Sequence, residues 1–278
     1  EISCSLVGSE MCIRDRRDGF GFSVAPHEVV KCGVWAKGRF RGEQMLYHSE
    51  RIYGIDISKY QHVHKRRVYG IDWRNLRITR LGHTADRNAL GAVDYPVSFV
   101  YIKSTEGLTV FNPYYTRDVR AARRYGFPVG AYHFFSTRPA MSQADYFLKK
   151  SRLQKGDLPP MLDVELSDRR IAAMGGRDVL FREMLVWLKE VGRRSGTTPI
   201  IYVSQDFVNR YMPFAPEELK AYPVWVARYG EYKPYVHLLY WQLSSDGRVR
   251  GIQGDVDIDV FNGSEEQFKR YLRTQTVK

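Results

Sequence analysis

The segment Met161-Leu162-Asp163-Val164-Glu165 carries two carboxylates two positions apart inside a short apolar run. In an extended strand, side chains at i and i+2 share one side. Asp163 and Glu165 therefore face together, while Leu162 and Val164 face the opposite way, toward a helical layer. Two acids facing one another repel when ionised, so one holds its proton to higher pH than usual. A general acid working beside an ionised carboxylate needs that arrangement. The bland alternative is a pair of acids neutralised by nearby Arg or Lys, and a strand this apolar tolerates such a pair poorly. Asp-x-Glu alone is a weak signal, and its value comes from position.

Seven other runs have the same β-rich character and also end in polar residues. The spacing predicts strands over Tyr53–Ser58, Ser98–Lys103, Val129–Phe135, Met161–Glu165, Ile200–Ser204, Val224–Arg228, Leu238–Leu243 and Val256–Phe261, each rich in Val, Ile, Tyr, Phe or Trp. Asp56 and Ser58 close the first and Glu106 follows the second. His133 lies near the end of the third, Tyr202 and Ser204 on the fifth, Arg228 and Tyr229 at the end of the sixth. Gln242 is on the seventh, and Asp257 and Asp259 are on the eighth. Helices are expected from Asn112-Pro113 to about Tyr125, from a cap at Ser142 to about Leu153, over Arg177–Ser195, over short stretches at 205–212 and 216–221, and over Glu265–Arg273. Ser264 with Gln267 fits a capping box for the last.

Strand followed by helix, repeated, argues for parallel β/α units. Eight strands suggest closure into a barrel. The last three leave little room for full helices, and Leu243 to Val256 reads as a turn-rich link. The fold class is therefore α/β: an irregular TIM-like barrel with its helices in the first five units. An open doubly wound sheet is the runner-up, but no Gly-rich phosphate loop follows the first strand. In a β/α barrel the strand carboxyl ends share one face, where active sites sit. Asp56, Asp163, Glu165 and Asp257 would converge there.

Four acids at one mouth also invite a metal reading, since Ca²⁺ or Mg²⁺ needs several oxygens closing on one point. No EF-hand-like spacing exists and Lys103 competes as counter-charge, so neither a metal nor another cofactor is expected. His62-Val63-His64 adjoins the basic run Lys65-Arg66-Arg67; no third zinc ligand is near, and a solvated loop is expected. No Gly-x-Ser-x-Gly elbow or P-loop is present. Aromatics crowd the strand ends, among them Tyr60, Tyr132, Tyr202, Trp225 and Tyr240. Flat apolar surfaces match sugar faces, and with carboxylates in one groove they favour a glycosidase over a phosphoryl-transfer enzyme.

The chain has 278 residues, 44% hydrophobic and 27% charged, which excludes the disordered, collagen-like and coiled-coil classes. No stretch approaches the roughly 18 uninterrupted apolar residues of a membrane span. Residues 1–50 carry seven basic and seven acidic side chains, so the whole net charge of +12 lies in residues 51–278. All three cysteines (Cys4, Cys12, Cys32) fall in the first segment, so the main domain is expected to stand without disulfides. Residues 1–50 show no sustained period and read as an irregular extension to a 51–278 domain. Within them, Ser5 to Arg16 resembles a translated sequencing adapter, so the authentic start, with any signal peptide, is expected to be missing. A basic balance favours an anionic partner. Nucleic acid would be one, but no recognised binding motif supports it.

At these residues the chain resembles glycoside hydrolase family 25, the Chalaropsis-type lysozymes. The resemblance runs through Tyr53-Gly54-Ile55-Asp56-Ile57-Ser58, Phe99-Val100-Tyr101-Ile102-Lys103-Ser104-Thr105-Glu106-Gly107, Asn112-Pro113-Tyr114-Tyr115 and Gly130-Ala131-Tyr132-His133-Phe134-Phe135. It continues through Pro160 to Glu165, Pro199 to Ser204, Trp225 to Tyr229, Tyr240-Trp241-Gln242 and Val256 to Gly263, covering about residues 52–273 in the family's order. It implies a (β/α)5β3 barrel and hydrolysis of the β-1,4 bond between N-acetylmuramic acid and N-acetylglucosamine in peptidoglycan. Carried over by motif, Glu165 is the general acid, Asp163 its partner carboxylate, and Asp56 and Asp257 complete the acidic floor. Lys103, Glu106, Tyr132, Tyr202, Trp225 and Gln242 are expected to line the groove. One departure stands out: His62–Gly70 intervenes between Tyr60-Gln61 and Ile71-Asp72-Trp73, where the family reaches its Asp-Trp pair sooner.

Mechanism stays open at this point. Carboxyls roughly 5–5.5 Å apart favour a direct nucleophile and wider pairs an inverting water. Strand positions i and i+2 place Cα atoms roughly 6.5–7 Å apart, and rotamers move the carboxyls either way. The 2-acetamido group of the substrate offers a third route, with net retention, which we favour. A secreted or cell-envelope location follows from the substrate, with glycan strands and anionic wall polymers as partners. A non-catalytic wall-binding protein and a chitin-type glycosidase are the alternatives.

Overall fold

All eight extended runs form strands, and their side-chain alternation closes them into a barrel. The structure, a computed structural model, describes residues 19–23, 31–43, 51–64, 66–83, 92–227 and 236–278. The barrel strands are β1 (Ile52–Ile57), β2 (Val100–Glu106), β3 (Val129–Phe134), β4 (Met161–Val164), β5 (Ile200–Ser204), β6 (Pro223–Ala227), β7 (His237–Arg250) and β8 (Val256–Phe261). Parallel pairing runs unbroken from β1 to β7. β8 is antiparallel to both β7 and β1 and closes the ring, with Asp257 opposite Asp56. Arg228 and Tyr229, expected to end the sixth strand, lie outside the described residues, as does the stretch from Ser5 to Arg16.

Period-two alternation sorts each strand's residues into two cores. Phe99, Tyr101, Met161, Ile200, Trp225, Tyr240 and Phe261 fill the barrel interior, joined by Phe268 and Tyr271 from the last helix. Ile55, Ile57, Ile102, Leu162, Val164, Ile201, Val203, Val224, Val226 and Ile258 face the helical layer. The interior is unusually aromatic and needs small neighbours. A Cβ added at Gly54 would lie 2.2 Å from the Phe99 ring, and one at Gly130 would lie 2.3 Å from the Tyr101 ring. These glycines on β1 and β3 make room for Phe99, just before β2, and for Tyr101 on it.

The outer layer comprises α1 (Tyr115–Arg124), α2 (Ala140–Ser151), α3 (Asp168–Ala173), α4 (Arg177–Ser195), α5 (Gln205–Arg210), α6 (Glu217–Lys220) and α7 (Glu265–Thr274). The Ser264–Gln267 capping box forms as expected. Ser142 does not cap α2: the helix starts two residues earlier, after Pro139. Its first amide hydrogen bonds to Glu183 instead, and the Gln143 amide donates back to the carbonyls of Ser136 and Arg138. A tertiary partner has replaced the local cap.

Two regions depart from expectation. The supposed link after Leu243 is a continuation of β7, because Arg248–Arg250 pair with a strand at Arg77–Arg80, which pairs in turn with Ala92–Pro96. Residues 19–43, read as irregular, contain three antiparallel strands at Gly19–Ser23, Lys31–Ala36 and Arg39–Glu43. The last two are joined by Lys37-Gly38, both with positive φ (53° and 79°), the two-residue hairpin turn that glycine permits. No helix among the described residues is long and apolar enough to cross a membrane.

Candidate active site

The carboxyl ends of the parallel strands and the amino end of antiparallel β8 bring the acids to one mouth. β4 is apolar except for Asp163, and Glu165 stands one residue beyond its end. Leu162 and Val164 are packed in the outer core, so Asp163 and Glu165 share the interior side. Asp163 is buried and Glu165 is exposed at the rim. Asp56 sits on β1 directly opposite Asp257 of β8, the first buried and the second half-buried.

Burial dominates the electrostatics. It raises the Asp163 carboxyl well above the usual range, and the charges of Glu165 and Asp56 push the same way; Lys103 acts against them. Burial also lifts Asp56, to about 7; a hydrogen bond from Tyr132 offsets part of this, and the Glu165 charge adds to it. Glu165 is raised by its partial burial and pulled back by Lys103. Desolvation disfavours the charged form of an acid, so at neutral pH the cluster retains protons. Among the described residues, Asp163 Oδ1 has no hydrogen-bond partner.

Cation and hydroxyl groups border the acids. Lys103 Nζ lies 2.7 Å from Glu106 Oε2 and over the Phe134 ring at 4.3 Å from its centroid. The Tyr202 hydroxyl donates to Gln242 Oε1 at 3.2 Å. Tyr132 and Tyr202 both feel the charges of Asp56, Asp163 and Asp257, and burial raises both phenols well above the usual range. Trp225 differs from the expected groove residue. It is fully buried, with its ring 5.0 Å from that of Tyr101 and 4.8 Å from that of Tyr240. It supports the floor from beneath and offers no face to a sugar.

Asp259, not among the expected site residues, joins the same acid cluster. It is fully buried below Asp56, and its carboxyl is raised far above the usual range by burial and by the charges of Asp56 and Asp257. Asp257-x-Asp259 repeats the i, i+2 pattern of Asp163-x-Glu165, which is the signal that could have found it. His133 faces outward instead. It is fully buried beside Trp187, bonded to Thr105 at 2.7 Å and Gln143 at 3.1 Å, and burial pushes it down to about 4. It is a neutral packing residue. His62 is no solvated loop residue either: it is fully buried against Asp118.

A buried acid beside an acid at the rim, on a floor of further acids, is equipped for acid catalysis at an acetal. The sequence model of glycosyl hydrolases family 25 matches residues 55–252, from β1 to the tail of β7. The chain belongs to glycosyl hydrolase family 25. As a family 25 member it is a glycoside hydrolase. It is 34% identical over 228 residues to the protein YegX of Escherichia coli O6:H1, covering 81% of this chain and 74% of that one. Lysozyme M1 of Streptomyces globisporus is 29% identical over 229 residues, covering 77% of this chain and 68% of the lysozyme. The crystal structure of a bacterial lysozyme from Streptomyces coelicolor superposes with a TM-score of 0.64 at 26% identity, covering 82% of this chain and 98% of that one. The family 25 barrel therefore accounts for the β1–β8 region and the helices around it.

Proposed function

We propose that this family 25 hydrolase is a lysozyme that cleaves the β-1,4 bond between N-acetylmuramic acid and N-acetylglucosamine in peptidoglycan. The observation that carries the reading is the Asp163–Glu165 pair, one buried and one at the rim on the same side of β4, in a fold shared with lysozymes. Glu165 donates its proton to the glycosidic oxygen as the bond to the anomeric carbon breaks. The substrate's acetamido oxygen closes on that carbon, and Asp163 Oδ1, which has no partner among the described residues, accepts the acetamido N–H. That hydrogen bond favours the ionised form of Asp163 and leaves the mobile proton on Glu165. Water then opens the cyclic intermediate, giving its proton back to Glu165, with net retention.

Asp56 and Asp257 hold the opposite side of the floor, and Asp259 and Trp225 support it from below. Lys103, Glu106, Tyr132, Tyr202 and Gln242 border the sugar. A secreted or envelope location follows from the substrate, and anionic wall polymers fit the basic surface. Digesting purified peptidoglycan and identifying the new reducing sugar by mass spectrometry tests the reading. A muramic acid end is expected. An N-acetylglucosamine end would make the protein a glucosaminidase, and cleavage of chitin oligomers alone would make it a chitin-type glycosidase.

A further inference from the structure

We propose that the short basic ribbon inserted after β1 recognises carboxylates of the stem peptides carried by the glycan strand in the cleft. The inference rests on the lysozyme reading above. Val63–His64 and Arg67–Val68 pair antiparallel, with Val63 opposite Val68 and His64 opposite Arg67. Arg66 lies at the turn between them, and Lys65 lies outside the described residues. Arg66 has φ 62°, a position where two-residue turns favour Asn or Gly. A cation is thus kept at the tip against the conformational preference of the site.

Buried contacts pin this ribbon to the rim of the mouth. Ser58, two residues after Asp56, caps the turn Lys59–Gln61, and Gln61 Oε1 accepts from the Ser58 amide at 2.7 Å. Gln61 Nε2 donates to the Asp255 carbonyl at 3.1 Å, two residues before Asp257. On the other side, His62 Nε2 lies 2.6 Å from Asp118 Oδ2 on α1, its Nδ1 lies 2.9 Å from the Tyr69 carbonyl, and its ring stacks on Tyr114 at 4.2 Å. The ribbon is held between the end of β1, the start of β8 and α1.

Its charges are uncompensated. Lys59, Arg66 and Arg67 are exposed and make no ion pair among the described residues. The acidic floor repels the carboxylates of a substrate whose muramic acid bears a peptide. A cationic rim beside that floor offsets the repulsion where the peptide leaves the cleft. Single exposed cation–carboxylate contacts are weak, so the effect falls on KM and on salt dependence and leaves kcat unchanged.

The test compares peptide-bearing glycan strands with strands stripped of peptide by an amidase. In R66Q/R67Q the ratio of kcat/KM, peptide-bearing over peptide-free, is expected to fall about three- to tenfold through KM, and activity on peptide-free strands is unchanged. The control R120Q/R124Q removes the same charge from exposed positions of α1 and keeps the wild-type ratio. An unchanged ratio in R66Q/R67Q, or an equal fall in the control, overturns the proposal. If neither substrate releases reducing ends, the lysozyme reading fails by itself. Co-sedimentation with peptide-bearing and peptide-stripped sacculi then reads the ribbon directly: lost preference in R66Q/R67Q supports it and retained preference overturns it.

Discussion

At the scale of single residues, the shared interior side of Asp163 and Glu165 was legible because period two puts i and i+2 on one side of a strand. Depth was not legible. Alternation aims Trp225 and Asp259 inward as it does Tyr202 and Asp257, yet the first two are fully buried and the others lie nearer the mouth. How far a side chain sits below the rim depends on strand stagger around the whole barrel. Glu165→Gln keeps the shape and removes the proton; wall lysis is expected to fall by about 10²-fold or more with far-UV circular dichroism unchanged. Full lysis in that variant would take Glu165 out of the acid role. Lys103 pulls down the carboxyls of both Asp163 and Glu165. Lys103→Met is therefore expected to move the alkaline limb of kcat/KM to higher pH, because Glu165 keeps its proton longer. A limb that stays in place while KM rises would assign Lys103 to sugar contact alone.

Elements were read well wherever local pattern and tertiary packing agree. α4 occupies the expected Arg177–Ser195 and α7 begins with the expected capping box. Two failures share one cause, a distant partner. β7 runs on past Leu243 because Arg77–Arg80 pairs with it, and α2 begins before Ser142 because Glu183 accepts from its first amide. The stretch His62-Val63-His64 was expected as a solvated loop, but the buried clasp of His62 to Asp118 spans 56 positions and no local pattern reports it. Packing between elements gives a sharp test at Gly54. An alanine there drives its Cβ into Phe99, whose ring is locked among Tyr101, Trp225, Tyr240 and Phe268. Overpacking of this kind costs roughly 1–3 kcal/mol, so Gly54→Ala is expected to lower the denaturant midpoint by a matching amount. The double variant Gly54→Ala with Phe99→Leu should recover part of it. Unchanged stability in the single variant would mean that the barrel interior is looser than the close approach of β1 and β2 indicates.

For the whole molecule, the acids of the mouth set the dependence of stability on pH. Asp56, Asp163 and Asp259 have folded-state pKa values raised above the unfolded value, Asp56 to about 7, with burial the largest cause in each. At pH below about 4 these groups are protonated folded or unfolded and contribute no pH dependence. As pH rises from there, the unfolded chain releases their protons while the folded chain keeps them. The unfolded state then binds fewer protons, and stability falls until the folded pKa is passed. Surface acids paired with arginine act in the opposite sense. The carboxyls of Asp94, Asp168 and Glu190 are lowered by hydrogen bonds from Arg77, Arg210 and Arg193 respectively, and they lose their small contribution only when pH drops through the ordinary carboxylate range. Stability is thus expected to be greatest at mildly acidic pH and to decline toward neutrality. Asp259→Asn isolates one group, since the amide keeps the shape and cannot ionise. Chemical denaturation at pH 4.5 and 7.5 should show wild type losing more stability than the variant between the two, by about 1.4 kcal/mol for each pH unit over which Asp259 stays protonated only when folded. Parallel losses in the two proteins would mean that Asp259 is ionised in the folded barrel, and the mouth would then hold one more negative charge than its burial permits.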